Sequence, residues 1–272
     1  MAAPEAFGKF ALVLLEEELA PSVGELAGGL ARLLGRVRFD VLNAIKRNPH
    51  IPFEDLAEPQ AAEAVKLLAD AGARAAAVPA ERLPAFPKVF TVHKAVPADA
   101  GLTVQTDYVG TLQELPWDQV AALSAATLAE GRAPAPDEPR GPSVGGQLAK
   151  LALGVAIGIP VLPSFGPRRP APGPAPRAPE PYEVLALAPF GAAVEMRFRA
   201  DMLDYACLGG RMTGNSAANF RAFAGDMLRG AGSARVGPAA RALAEGGSPP
   251  PMGADQFARY NRWLKLLACE GL

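Results

Sequence analysis

The chain has 272 residues, half of them apolar, with a formal charge of −1. That is ample material for a packed core, and it argues against a global field that would recruit nucleic acid or acidic lipid. Two cysteines, Cys207 and Cys269, and two histidines, His50 and His93, make neither a disulfide framework nor a four-ligand zinc site. Both thiols are expected to be reduced and structural.

The first module is read as residues 7–80. Phe10-Ala-Leu-Val-Leu-Leu15 is a continuous apolar run of strand length, expected to be buried on both faces. The run ends in Glu16-Glu17-Glu18 with no basic region before it, so no secretory leader is expected here. Pro21 or Ser22 opens a helix in which Val23, Leu26, Ala27, Leu30, Leu33 and Leu34 recur at helical spacing, and Gly35 stops it. Phe39, Leu42, Ala44 and Ile45 make a shorter amphipathic stretch ending at Asn48-Pro49. A strand through Ile51 and Phe53 follows. Pro59 suits the first turn of a third helix, whose stripe is Ala61, Ala64, Val65 and Leu68, with Gly72 at its end. Residues 73–78 are a third strand. The predicted order is βααβαβ, a small α/β sandwich.

Glu63 to Ala73, ending Leu68-Ala-Asp-Ala-Gly72-Ala73, resembles the last helix of the ribosomal stalk protein's C-terminal domain, a fold shared with the adaptor of the Clp protease. The resemblance covers about seventy residues. It implies a docking fold in which basic helix residues meet a partner. The nearest equivalents here, Lys46, Arg47 and Lys66, are few, so the fold carries over and the partner does not.

The second module begins with residues 88–128. Val89–His93 and Leu102–Thr106 alternate, Thr111–Leu115 follows, and Trp117-Asp-Gln-Val120 enters an apolar run to Leu128. After an insertion at 129–181, the module resumes at 182–272. Glu183–Ala188 and Ala192–Phe198 flank a hairpin-sized gap, and Tyr205–Leu208 is read as a seventh strand. Asn215 or Ser216 then caps a helix whose stripe is Phe220, Phe223, Ala224, Met227 and Leu228. Strand count, strand order and a capping helix resemble a pleckstrin-homology-like barrel. The tail helix, Gln256–Leu272, lines up Phe257, Tyr260, Trp263, Leu264 and Leu267, with Arg259, Arg262 and Lys265 off that face. Such a face is expected to be buried by the same chain. The fold class is therefore α+β, a small sandwich followed by a β-rich module with a capping helix, split by a proline-rich disordered insertion.

Within the insertion, residues 163–181 hold eight prolines. Each removes a donor and fixes φ, so the run is read as an exposed spacer, up to ~60 Å long at ~3.1 Å per residue. Its Pro-x-x-Pro spacings at Pro167 and Pro176 are read as spacer, not as a ligand for a proline-reading domain. The apolar stretch Leu151–Phe165 falls short of the ~20 residues a spanning helix needs, and 148–165 lacks the basic face of an interfacial helix. A soluble, cytoplasmic protein is expected. The Ala/Pro/Gly-rich composition itself resembles that of many proteins from GC-rich bacterial genomes.

Four patterns carry candidate chemistry. Gly209 to Ser216 falls one residue short of a phosphate-cradling loop, since Asn215 stands where the loop's lysine would be; two turns and a helix cap are the expected reading. Cys207, with His93 and Asp204, has the residue types of a nucleophile, base and orienting acid, although an apolar context leaves a thiol inert. Arg32, Arg36, Arg38, Lys46 and Arg47 form a basic cluster, partly accounted for by helix C-termini and read as lacking the interleaved aromatics that stack bases. Arg211 is a further candidate cation. No cofactor, metal or nucleic acid is expected. The reading is a non-catalytic binding or adaptor protein with a protein partner. The alternatives are a hydrolase or transferase using Cys207, Asp204 or Arg211, and a membrane-peripheral regulator using 148–165.

Overall fold

Strand β1, Lys9–Leu14, is the middle of a three-stranded sheet ordered β2-β1-β3. Ala11 to Leu14 are buried without a break, because the two faces of the strand meet two different layers. Leu12 and Leu14 pack on helices, while Ala11 and Val13 pack on the opposite side, as the period of two dictates. The computed structural model describes residues 9–17, 23–105, 112–129 and 180–272. The apolar stretch 148–165, the prolines from 163 to 179 and the expected helix start at Pro21 or Ser22 lie outside the described residues.

Helices α1 (Val23–Leu34) and α2 (Arg38–Arg47), strand β2 (Phe53–Ala57), helix α3 (Glu58–Asp70) and strand β3 (Ala75–Pro79) complete the order βααβαβ. Both β2 and β3 pair antiparallel with β1. Leu26, Leu30, Val41, Ile45, Ala61, Ala64 and Leu68 form the helical side of this core. Pro59 lies in the first turn of α3, and the Gln60 side chain accepts the Ala57 N–H at 3.3 Å. Gly35 and Gly72 end α1 and α3 with φ of 61° and 84°, the left-handed region that a Cβ disfavours.

The second half is β-rich. Strands β4 (Lys88–Val92), β5 (Lys94–Pro97), β6 (Gly101–Gln105), β7 (Leu112–Pro116), β8 (Val120–Leu128), β9 (Tyr182–Pro189) and β10 (Val194–Arg199) follow in order. One sheet runs β5-β6-β7; the other runs β8-β9-β10-β4, closed by a parallel pairing of β10 with β4. Only His93 separates β4 from β5, and only the turn Trp117–Gln119 separates β7 from β8, so each sheet hands its chain to the other. Helix α4 (Ser216–Gly230) fills the space between them. Its Phe220, Phe223, Ala224 and Met227 share one core with Val92, Leu102 and Val104 from one side and Leu123, Leu187 and Phe198 from the other.

The expected seventh strand at Tyr205–Leu208 is absent from this site; Ala206–Arg211 is a 3₁₀ turn. The Asp204 carboxylate accepts the Ala206 N–H at 2.9 Å and Tyr205 donates its hydroxyl to the Ala200 carbonyl at 2.7 Å. These local bonds curl the chain before it can extend. Four short elements were not anticipated: strand β5, strand β11 (Arg235–Val236), helix α5 (Pro238–Ala244) and strand β12 (Pro251–Met252). Both β11 and β12 pair parallel with β8.

Helix α6 (Ala254–Glu270) is buried all round from Tyr260 to Leu267. Its apolar residues meet Ala11, Val13 and Val78 of the first sheet and Ala122, Ala126, Ala186 and Ala188 of the large sheet. Small alanines on β8 and β9 let the helix approach closely. The expected stripe is thus covered by the same chain. Arg262 and Lys265 beside it are covered too, and both are hydrogen-bonded, while Arg259 is half-buried with its guanidinium 5.8 Å from the Phe86 ring. Arg262 donates to the Pro84 carbonyl at 2.5 Å and to Glu54 at 2.6 Å, Lys265 donates to the Ala192 carbonyl, and Trp263 Nε1 donates to the Leu14 carbonyl at 2.6 Å. The described residues up to Ala129 and from Pro181 onward form one compact unit.

Candidate functional site

The α1–α2 corner exposes six residues in a row, Gly35 to Asp40. Within it Phe39 is 68 % exposed and Val37 65 %, the two most exposed large apolar side chains among the described residues. From the sequence, Phe39 belongs with Leu42, Ala44 and Ile45 to one amphipathic stretch. The structure corrects this: α2 buries Val41 and Ile45, and two residues of helix turn Phe39 by about 200° from Val41. Phe39, Asn43 and Lys46, at i, i+4 and i+7, make the exposed face instead. The basic cluster therefore does hold an interleaved aromatic.

Three of the candidate cations, Arg32, Arg36 and Arg38, flank this corner, and Lys46 and Arg47 lie about 10 Å further along α2. Arg36 is committed: Nη2 donates to both Asp55 carboxylate oxygens at 3.1 Å, and the guanidinium lies 5.1 Å from the Phe53 ring. Arg38 donates to the Gly24 carbonyl at 2.9 Å and Arg32 to the Gly28 carbonyl at 3.4 Å. These bonds hold the two arginines to backbone, and among the described residues no carboxylate forms an ion pair with either. Lys46 and Arg47 sit in the exposed last turn of α2.

The sixth candidate, Arg211, lies elsewhere. Its two terminal nitrogens donate to Asp226 at 2.9 and 2.5 Å, and Arg229 contacts the same carboxylate. Together with Asp99, Trp117 and Gly230 they line a cleft of about 460 Å³. Two guanidinium groups on one carboxylate leave little positive charge for a ligand.

Cys207 and Asp204 lie close enough to influence each other. Burial raises the Cys207 thiol, and the charges of Asp226 and Asp204 raise it further against the pull of Arg211. The group is a protonated thiol at neutral pH, a weak nucleophile. Asp204 donates its N–H to the His93 carbonyl at 2.8 Å, and its carboxylate serves the turn at Ala206. The glycine-rich loop is closed on itself. Asn215 Oδ1 caps α4 by accepting from Ala217 and Ala218 at 2.9 and 3.2 Å. Asn219 accepts from the Thr213 N–H at 2.8 Å and donates to the Thr213 carbonyl at 2.9 Å. The N–H groups of Thr213, Ala217 and Ala218 are therefore already used.

Among the described residues, no group of three His, Cys, Asp or Glu side chains is placed to hold a metal ion, and no helix is long and apolar enough to cross a membrane. Comparison with protein-family models, curated proteins and solved structures returns no match. The corner around Phe39 is thus read on its own chemistry. Its sequence signal is Arg36-Val-Arg-Phe39, basic and apolar residues alternating between two helices.

Proposed function

We propose that the protein is a non-catalytic binding module that docks an acidic, apolar-bearing segment of a protein partner on the α1–α2 corner. The observation that carries this reading is the exposure of Phe39 and Val37 among cations. Burying an exposed Phe and Val supplies a driving force of about 2–4 kcal/mol. Arg32, Arg38, Lys46 and Arg47 have no ion-pair partner among the described residues, and carboxylates on a partner would compensate them. Asp40 and Asp55 on the same side weigh against a polyanionic backbone as the ligand. The βααβαβ order supports the reading as well, since the stalk-protein and Clp-adaptor folds it resembles serve docking.

The reading is tested with a fluorescein-labelled peptide alternating Glu with Leu and Phe, titrated with the full chain and followed by anisotropy. Binding is expected, and Phe39→Ser or the pair Arg38→Glu, Lys46→Glu should weaken it by about tenfold or more. Equal affinity for a peptide with Lys in place of Glu, preference for anionic vesicles over the peptide, or indifference to both variants would overturn it.

A further inference from the structure

Strand β3 lies at the edge of its sheet and pairs with β1 alone. The Leu15 N–H donates to the Arg74 carbonyl at 3.0 Å, which sets the alternation along the strand. Ala76 and Val78 turn their backbone groups toward β1, and Ala75, Ala77 and Pro79 turn theirs outward. Among the described residues none of these outward groups is hydrogen-bonded. Little protects this edge from another strand. Residues Ala75 to Val78 include no charge and no proline, their register with β1 is unbroken, and Ala77 is exposed. Strand β2, at the opposite edge, carries Glu54 and Asp55 and an irregular register. The chain leaving β3 runs toward β2 as well, since Arg262 bonds both the Pro84 carbonyl and Glu54, so it does not cover the β3 edge.

We infer that two copies of this chain join through β3, antiparallel about a two-fold axis at Ala77. The strand fits itself. Each Ala77 N–H donates to the Ala77 carbonyl of the other copy, and each Ala75 N–H donates to the other copy's Pro79 carbonyl. Pro79, the outward residue without an N–H, thus serves only as acceptor. In this register Arg74 of one copy stands opposite Ala80 of the other, next to Glu81. Arg74 and Glu81 are both exposed and have no ion pair within the described residues, so the ends of the paired strands carry complementary charge. A two-fold pairing occupies the open edge of both copies and closes there. It also leaves the α1–α2 corner free, because Arg36 of that corner meets Asp55 on β2, at the far edge of the sheet. The inference is independent of docking at that corner.

The experiment is sedimentation velocity on the full chain, over a concentration series reaching roughly 100 µM, where a small interface associates. A dimer is expected. Ala77→Pro removes the outward donor and none of the bonds to β1, so it should stay folded by circular dichroism and weaken association by about tenfold or more. Disulfide trapping under mild oxidation gives a second readout, in chains carrying Cys207→Ser and Cys269→Ser, and decides the matter should Ala77→Pro not fold. The two Ala77 Cα atoms of a hydrogen-bonded antiparallel pair lie about 5.5 Å apart, within disulfide reach. Ala77→Cys should therefore link copies at least about tenfold faster than Val96→Cys, at an exposed position on β5. A monomer throughout the series, association untouched by Ala77→Pro, or equal trapping at the two positions overturns the inference.

Discussion

Asn261 on α6 donates its amide N–H to the carboxylate of Glu195 on β10 at 2.9 Å, and Glu195 is completely buried. The other carboxylate oxygen accepts from Arg197 Nε at 2.5 Å, and Ser124 of β8 donates to the Asn261 carbonyl oxygen. A buried charge is tolerated only when its lone pairs are occupied. This chain of side chains therefore fixes both the height and the rotation of α6 over the large sheet.

Removing the amide should show that dependence. Asn261→Ala leaves one Glu195 oxygen and the Ser124 hydroxyl without their partner, at a cost of about 2–4 kcal/mol. The check is the urea midpoint at neutral pH. A variant within ~0.5 kcal/mol of the natural chain would mean that the network does not hold the helix.

Two glycines in α4 separate packing from propensity. A Cβ on Gly230 would lie 2.3 Å from the Trp117 ring, and that ring is held by its Nε1 bond to the Ala98 carbonyl at 2.7 Å. Gly230→Ala should therefore cost about 1–3 kcal/mol by overpacking. Gly225→Ala meets only the far end of Arg229 at 3.6 Å and should gain roughly 0.5–1 kcal/mol from helix propensity. Thermal melts of the two variants should move in opposite directions.

The strands and the larger helices were legible because their residues answer to local periodicity. Phe10–Leu15 is apolar without interruption, Val120–Leu128 is apolar apart from Ser124 and Thr127, and Phe220, Phe223 and Met227 recur at helical spacing. Asn215 announced the start of α4 by its capping chemistry. Three things were hidden. Tyr205–Leu208 looked extended until Asp204 and Ala200 were seen to bond it into a turn. Helix α5 is only seven residues long, too short for a period to emerge. The polar residues of α6 are buried by partners at a distance in sequence, Glu195 for Asn261 and Glu54 for Arg262, and no local pattern encodes such pairs. At the candidate site the cluster of cations was visible. The exposure of Phe39 was not, because it depends on which side of α2 the sheet covers.

His50 stacks on Trp263 with ring centroids 4.1 Å apart. Burial lowers its pKa from 6.5 to about 4, against the opposing effect of a hydrogen bond to the Glu16 backbone. The unfolded chain therefore takes up a proton near pH 6.5 that the folded chain refuses until about pH 4. Stability rises with pH across that window and falls as the pH drops through it, by roughly 3 kcal/mol from this group. His50→Phe keeps a ring on Trp263 and should flatten the slope. Urea midpoints at several pH values across the window check it, and an unchanged slope in the variant would assign the pH dependence to other groups.

The docking claim is tested most directly by titrating the isotopically labelled full chain with the Glu/Leu/Phe peptide and following amide chemical shifts. Binding at the α1–α2 corner predicts saturable shifts concentrated between Arg32 and Arg47, lost in Phe39→Ser while the rest of the spectrum stays in place. Shifts centred on the Arg211–Asp226 cleft, or no shifts with the peptide in millimolar excess, would contradict it.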